Sequence, residues 1–217
     1  TAPGTIDLAT TNGNATISSA GGWNLADPVI NGYLSITAGG AVGQAGPLQA
    51  VSLLFRGTGD YNLTDPGNNA TTFASDASGN VQYLDSTGLT VSTVNGVDGV
   101  ATSGADFTLE TGDTLAINRP IVSGTGNVDL TAGNTISQGA TGTMNVGGTT
   151  DFTLTAAGDV DIDTVANTFE GDVTFADNGN ITNLYAWKGA GAAPYPIIPG
   201  GLIDLIIIWD GVNPDVG

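Results

Sequence analysis

Nearly every side chain in this sequence that could do chemistry is acidic. Twenty-one Asp and Glu residues stand against Arg56, Arg119 and Lys188, for a formal charge of −18, and there is no His and no Cys. Without imidazole or thiol the usual nucleophile–base pairs cannot be built. What remains is carboxylate chemistry, either an acid pair working on a glycosidic bond or clustered oxygens holding a hard cation. Asp159, Asp161 and Asp163 alternate with Val160 and Ile162, so in a strand they share one face and could gather calcium. The glycine-rich nonapeptide that builds calcium sites in β-rolls is missing, so a solvated strand face is the expected role for these three. Asp172 and Asp177 are equally weak calcium candidates. No spacing makes two carboxylates converge, so neither catalysis nor a bound cofactor is expected.

A second acidic pattern is longer in range. Asp60, Asn80, Asp106, Asn127, Asp151 and Asn180 each stand immediately before an apolar anchor pair, and acid alternates with amide. If these positions stack at the roughly 4.8 Å spacing of neighbouring strands, six carboxylates would repel one another. An intervening amide can donate to its charged neighbour. The sequence therefore predicts an Asp/Asn ladder along one corner; the competing explanation is that both residue types favour turns.

The elements carrying these residues follow from repetition. Val128-Asp-Leu-Thr-Ala-Gly-Asn is echoed by Phe152-Thr-Leu-Thr-Ala-Ala-Gly, and Leu34 to Gln44 aligns without a gap on Val128 to Gln138. Further anchor pairs occur at Ile6 and Leu8, Tyr61 and Leu63, Val81 and Tyr83, Phe107 and Leu109, and, more weakly, Ile181 and Leu184. Two apolar residues spaced by two and then a Gly-containing turn is a half-buried strand with its corner. Repeated at about 20 to 29 residues, it is a solenoid coil. With 34 Gly among 217 residues and abundant Thr, Asn and Asp, the chain reads as an all-β parallel β-helix of roughly eight coils. Trp23 is expected to cap the apolar end of the first coil. Asn95-Gly96 would signal an antiparallel hairpin in isolation, but strands recurring at one phase are expected to stack on their equivalents in the next coil.

Leu34-Ser-Ile-Thr-Ala-Gly-Gly, Leu89-Thr-Val-Ser-Thr-Val-Asn-Gly-Val-Asp-Gly-Val, Ile136-Ser-Gln and Asn167-Thr-Phe-Glu-Gly-Asp-Val-Thr-Phe resemble the repeats of filamentous-haemagglutinin-like and autotransporter-type large surface adhesins. The resemblance covers about Tyr33 to Asn183. It implies a right-handed parallel β-helix at a bacterial cell surface or outside the cell, serving adhesion, aggregation or fibre building, and it transfers no catalytic residue.

After Asn183 the pattern changes. Residues 1–184 read as the solenoid, and residues 185–217 as a Pro/Gly-rich connection through Pro194, Pro196 and Pro199 to an apolar strand. That strand is Leu202, Ile203, Leu205, Ile206, Ile207, Ile208 and Trp209, interrupted only by Asp204. It is expected either to cap its own chain or to pair with a neighbouring copy, making the protein itself the principal partner in a head-to-tail fibre. Cell-surface glycans are a further partner class. A nucleic-acid backbone would be repelled, and no apolar run reaches the length of a transmembrane segment. The expected function is a non-enzymatic, structural and adhesive β-solenoid, a fibre subunit or a stretch of adhesin stalk; the alternative is a β-helix that binds or cleaves polysaccharide.

Overall fold

Each coil presents short apolar strands on its flanks and turns at its corners, and the coils stack. The structure, a computed structural model, describes the backbone of residues 4–7 and the whole of residues 13–209. The first four coils hold two strands each: β1 (Gly4–Asp7) and β2 (Ala15–Ser19), β3 (Trp23–Ala26) and β4 (Val29–Ala38), β5 (Val42–Gln44) and β6 (Gln49–Gly57), β7 (Tyr61–Leu63) and β8 (Asn69–Ala77). The fifth is subdivided into β9 (Val81–Asp85), β10 (Leu89–Val91), β11 (Thr93–Val94), β12 (Val97–Asp98) and β13 (Val100–Ala101). Three strands follow in the sixth, β14 (Phe107–Thr111), β15 (Thr114–Ile117) and β16 (Ile121–Gly124), and three in the seventh, β17 (Val128–Ala132), β18 (Thr135–Gln138) and β19 (Met144–Val146). The eighth has β20 (Thr150–Leu154) and β21 (Gly158–Phe169), the ninth β22 (Val173–Phe175) and β23 (Ile181–Ala190), and β24 (Asp204–Trp209) begins another.

These strands form two long parallel sheets. Sheet A runs β1-β3-β5-β7-β9-β14-β17-β20-β22, one strand per coil, and sheet B takes the other strands of every coil through β24 except β11 and β12, which pair only with each other. The protein is therefore an all-β parallel β-solenoid of about nine turns, and no helix occurs among the described residues. In particular, none of them forms a helix long and apolar enough to cross a membrane.

Alternation decides which side chains enter the core. On sheet A one inner column reads Trp23, Val42, Tyr61, Val81, Phe107, Val128, Thr150, Val173. All eight are buried. Phe55 stacks on Tyr61 at 4.6 Å and meets Phe73 edge-on at 5.2 Å, so aromatics from both sheets fill the middle of the rod. Trp23 belongs to this column, one coil inside the end it was expected to cap.

Two features of the repeat emerge differently from the sequence expectation. Phe152 and Leu154 do not occupy the places of Val128 and Leu130. Val128 pairs with Thr150 and Leu130 with Phe152, a slip of two residues. A two-residue slip leaves every side chain on the same face of the sheet, so alternation alone cannot detect it. Likewise Leu34 lies in sheet B and Val128 in sheet A, so the aligned stretches are one local unit used at two different corners. Ile181 and Leu184 sit in β23 of sheet B rather than in sheet A, and Leu8 lies outside the described residues.

Asn95-Gly96 does form a hairpin. β11 and β12 pair antiparallel, with φ of 46° at Asn95 and 80° at Gly96, as a tight two-residue turn requires. The hairpin is an excursion between β10 and β13, both of which stay in sheet B, so the solenoid and the hairpin coexist. It folds against the outer face of sheet B, where Val94 and Val97 cover Leu54, Ala74 and Tyr33 in a small second apolar cluster. Arg119 of the following coil holds it, through a 2.7 Å ion pair to Asp98 and a hydrogen bond to Thr93 Oγ1.

Candidate functional site

The corner before sheet A carries the acidic and amide residues that the sequence singled out. Four of them form one continuous column. Asp60 Oδ1 accepts the backbone N–H of Asn80 at 2.8 Å, Asn80 Oδ1 that of Asp106 at 3.0 Å, and Asp106 Oδ1 that of Asn127 at 2.9 Å. Asn127 Oδ1 then accepts both the N–H and the hydroxyl of Thr149. Asp151 and Asn180 lie elsewhere. Asp151 is in β20 opposite Asp129, two residues past the corner because of the slip described above, and Asn180 Nδ2 donates to the carbonyl of Leu154. The bonding also differs in kind from side-chain amide donating to carboxylate. Each rung offers a side-chain oxygen to the next rung's backbone N–H, a task that Asp and Asn perform equally well.

The outer faces of the sheets carry several of the remaining acids, whereas Asp85 is fully buried in β9, where its carboxylate accepts from the Ala70 N–H, the Tyr83 hydroxyl, and the N–H and hydroxyl of Thr87. Asp129 and Asp151 stand directly opposite each other on adjacent rungs. Burial, and then the charges of Asp151 and Glu110, hold the Asp129 carboxyl above its usual range. A raised folded-state value means the folded chain binds more protons than the unfolded one between the ordinary carboxylate value of about 4 and the raised value. Stability therefore increases as the pH falls through that window and loses this contribution above it. Asp129→Asn should raise stability at pH 7 by about 0.5 kcal/mol, the scale of a solvent-screened like-charge pair on neighbouring strands. The gain should vanish near pH 3, and urea unfolding at the two pH values measures both.

Asp159, Asp161 and Asp163 line the outer side of β21. Asp159 Oδ1 is taken by Thr182 Oγ1 at 2.9 Å and Asn183 Nδ2 at 2.7 Å, while burial and then a hydrogen bond with Asp161 push Asp163 upward. Among the described residues no three acidic side chains come close enough together to hold a metal ion. Asp177 Oδ1 accepts the Gly200 N–H, and both Asp177 and Asp172 line a cleft of about 370 Å³.

Two asparagines that the sequence reading missed join the coils from inside the rod. Asn68, just before β8, and Asn167, within β21, are buried there and share four equivalent bonds. Asn167 Oδ1 accepts from Gln138 Nε2 at 2.6 Å and from the Met144 N–H at 2.8 Å; Nδ2 donates to the carbonyls of Ile162 and Trp187. Asn68 Oδ1 accepts from Gln44 Nε2 and the Leu48 N–H, and Nδ2 donates to Leu63 and Leu84. Each amide thus ties three successive coils together. The sequence did hold a signal: Gln44 and Gln138 are the last residues of the two aligned stretches. Asn68 follows its Gln by 24 residues and Asn167 by 29, so no fixed spacing marks the pair.

At the C-terminal end the ladder carries on. β23 runs through the expected boundary at residue 184, and β24 stacks on it in parallel, Leu184 on Leu205 and Lys188 on Trp209. Ile207 and Trp209 enter the core, Leu202 and Leu205 pack against it, Ile208 is half-buried, and Ile203 and Ile206 face outward. Lys188 is buried with its ammonium 5.3 Å from the Trp209 ring centroid. Between β23 and β24 the segment holding Pro194, Pro196 and Pro199 crosses the end of sheet A beside β22, forming the cleft of Asp172 and Asp177. Proline brings no N–H to a ladder, and sheet A ends there.

A family described as "Repeats of unknown function (DUF5649)" matches residues 12–77 and 104–176, well over half of the sequence. The chain belongs to this family. The interval between the two matched stretches, 78–103, is the coil that holds the β11–β12 hairpin. No curated protein and no solved structure matches the chain.

Proposed function

We propose that this protein is a structural and adhesive rod, a right-handed β-solenoid working at a bacterial cell surface as part of a fibre or an adhesin stalk and carrying no catalysis. The observation behind this reading is the continuous parallel strand pairing from β2 to β24, with side-chain amides and carboxylates joining one coil to the next. Nine coils at about 4.8 Å give a rod roughly 43 Å long, stiffened by ladders along its whole length. The surface charge keeps such rods soluble and apart from nucleic acid and anionic membranes. Small-angle scattering and negative-stain microscopy test the reading: an elongated particle of that length with no release of sugar from surface polysaccharides is expected. A globular particle, or liberated oligosaccharide, would overturn it.

Carbohydrate binding is a second reading with one observation in its favour. The cleft beside the proline segment pairs the half-exposed ring of Tyr195 with Asp172 and Asp177, an aromatic face next to hydrogen-bond acceptors. A glycan array in which Asp177→Ala abolishes a specific signal would favour it.

A further inference from the structure

The two inner columns of sheet B behave unusually along the rod. In coils one to four they are two residues apart on a single strand: Ala15 and Ile17, Leu34 and Ile36, Leu53 and Phe55, Phe73 and Ser75. In the middle coils the same columns are forced apart, to Val91 and Val100, then Ile117 and Ile121, by the hairpin and by turns. At Ile162 and Asn167 they are still separated. In β23 and β24 the two-residue spacing returns, as Ala186 and Lys188, then Ile207 and Trp209. The last strand of the rod thus regains the geometry of the first and no longer matches that of the coils between.

We propose that the C-terminal strand β24 receives β2 of a second copy of this chain, continuing sheet B across the junction with Ile207 over Ala15 and Trp209 over Ile17 of the neighbour. This rests on the structural-rod reading and names its partner. Every rung in sheet B already stacks on a parallel rung, so one copy translated along the axis meets the edge of β24 that no described strand occupies, as β23 meets it from the other side. Charge permits the contact on a rod of −18. β2 is Ala-Thr-Ile-Ser-Ser, with no charged residue, and the one charge of β24 is Asp204 at its start. Exposed large apolar side chains gather at the same end: Ile197 is 86% exposed, Ile203 83%, Tyr195 44% and Ile206 37%. Sheet A cannot take part in the ladder there because the proline segment stands across it, so the junction is hydrogen-bonded through sheet B and apolar beside it. Such a contact is head-to-tail and does not close.

The absence of cysteine makes the register directly testable. Thr16 lies between Ala15 and Ile17, and Ile208 between Ile207 and Trp209, so the two face each other across the junction, while within one chain they are about a rod length, roughly 43 Å, apart. The full chain carrying Thr16→Cys and Ile208→Cys, oxidised at several protein concentrations, should give a ladder of disulfide-linked multimers. A companion carrying Thr16→Cys and Val51→Cys, whose second site is 50% exposed on the flank, should give at least fivefold less. Equal cross-linking in both chains, or monomer alone in the first, would overturn the proposal. The length of the single rod in scattering stands apart from either result and would leave the structural reading intact.

Discussion

Asn167→Ala should destabilise the solenoid by about 4 kcal/mol, through the buried groups it strands rather than the volume it removes. The amide satisfies two donors, Gln138 Nε2 and the Met144 N–H, and two acceptors, the carbonyls of Ile162 and Trp187. A buried polar group left without its partner costs about 1 to 3 kcal/mol. Water cannot readily take over, because Asn167 is only 1% exposed. Asn145→Ala, on an exposed side chain in the preceding coil, should change stability by less than about 0.5 kcal/mol. Solenoid stability is a sum over coils and their interfaces, so the loss should be local first. Hydrogen exchange should quicken in β19, β21 and β23 before the amides of β4 and β6 respond. Asn68→Ala should reproduce the effect around β5 to β9. A urea midpoint indistinguishable from the parent would show that these amides do not join the coils.

Gly158→Ala should cost about 3 kcal/mol or more, at the upper end of what overpacking does. A Cβ at Gly158 would sit 1.4 Å from the carbonyl oxygen of Asn134 on the coil below, whose backbone cannot swing aside as a flexible side chain could. Asp159 N–H donates to that same carbonyl at 3.1 Å. The added methyl would therefore force the seventh and eighth coils apart where β18 and β21 meet. Gly21→Ala is the control, since nothing lies within 4 Å of its Cβ position, and it should be nearly neutral. Thermal melts of the two variants against the parent decide the matter. A parent-like Gly158→Ala would mean that the coils can separate locally without loss.

The corner column shows how far sequence reasoning reached and where it stopped. Asp60, Asn80, Asp106 and Asn127 were visible because each precedes a strand whose first inward residue is a large apolar side chain, namely Tyr61, Val81, Phe107 and Val128. The pattern failed at Asp151 because Thr150, a small polar residue, holds the inward place there. Asn95-Gly96 made the hairpin its local chemistry favours, and the solenoid tolerated it because β10 and β13 rejoin sheet B on either side.

The sequence by itself determined the all-β class, the solenoid and its approximate number of coils, because side-chain alternation and glycine-bearing turns are local properties that recur down the chain. Only the tertiary structure decided which residues share a rung. That register depends on the length of each corner, and a shift of two residues costs nothing in inside–outside pattern. Only stacking could reveal most partners of Asn68 and Asn167, which, Leu63 and Ile162 aside, lie one coil away on either side. The same holds for the returning two-residue spacing in β24, a relation between strands at opposite ends of the chain.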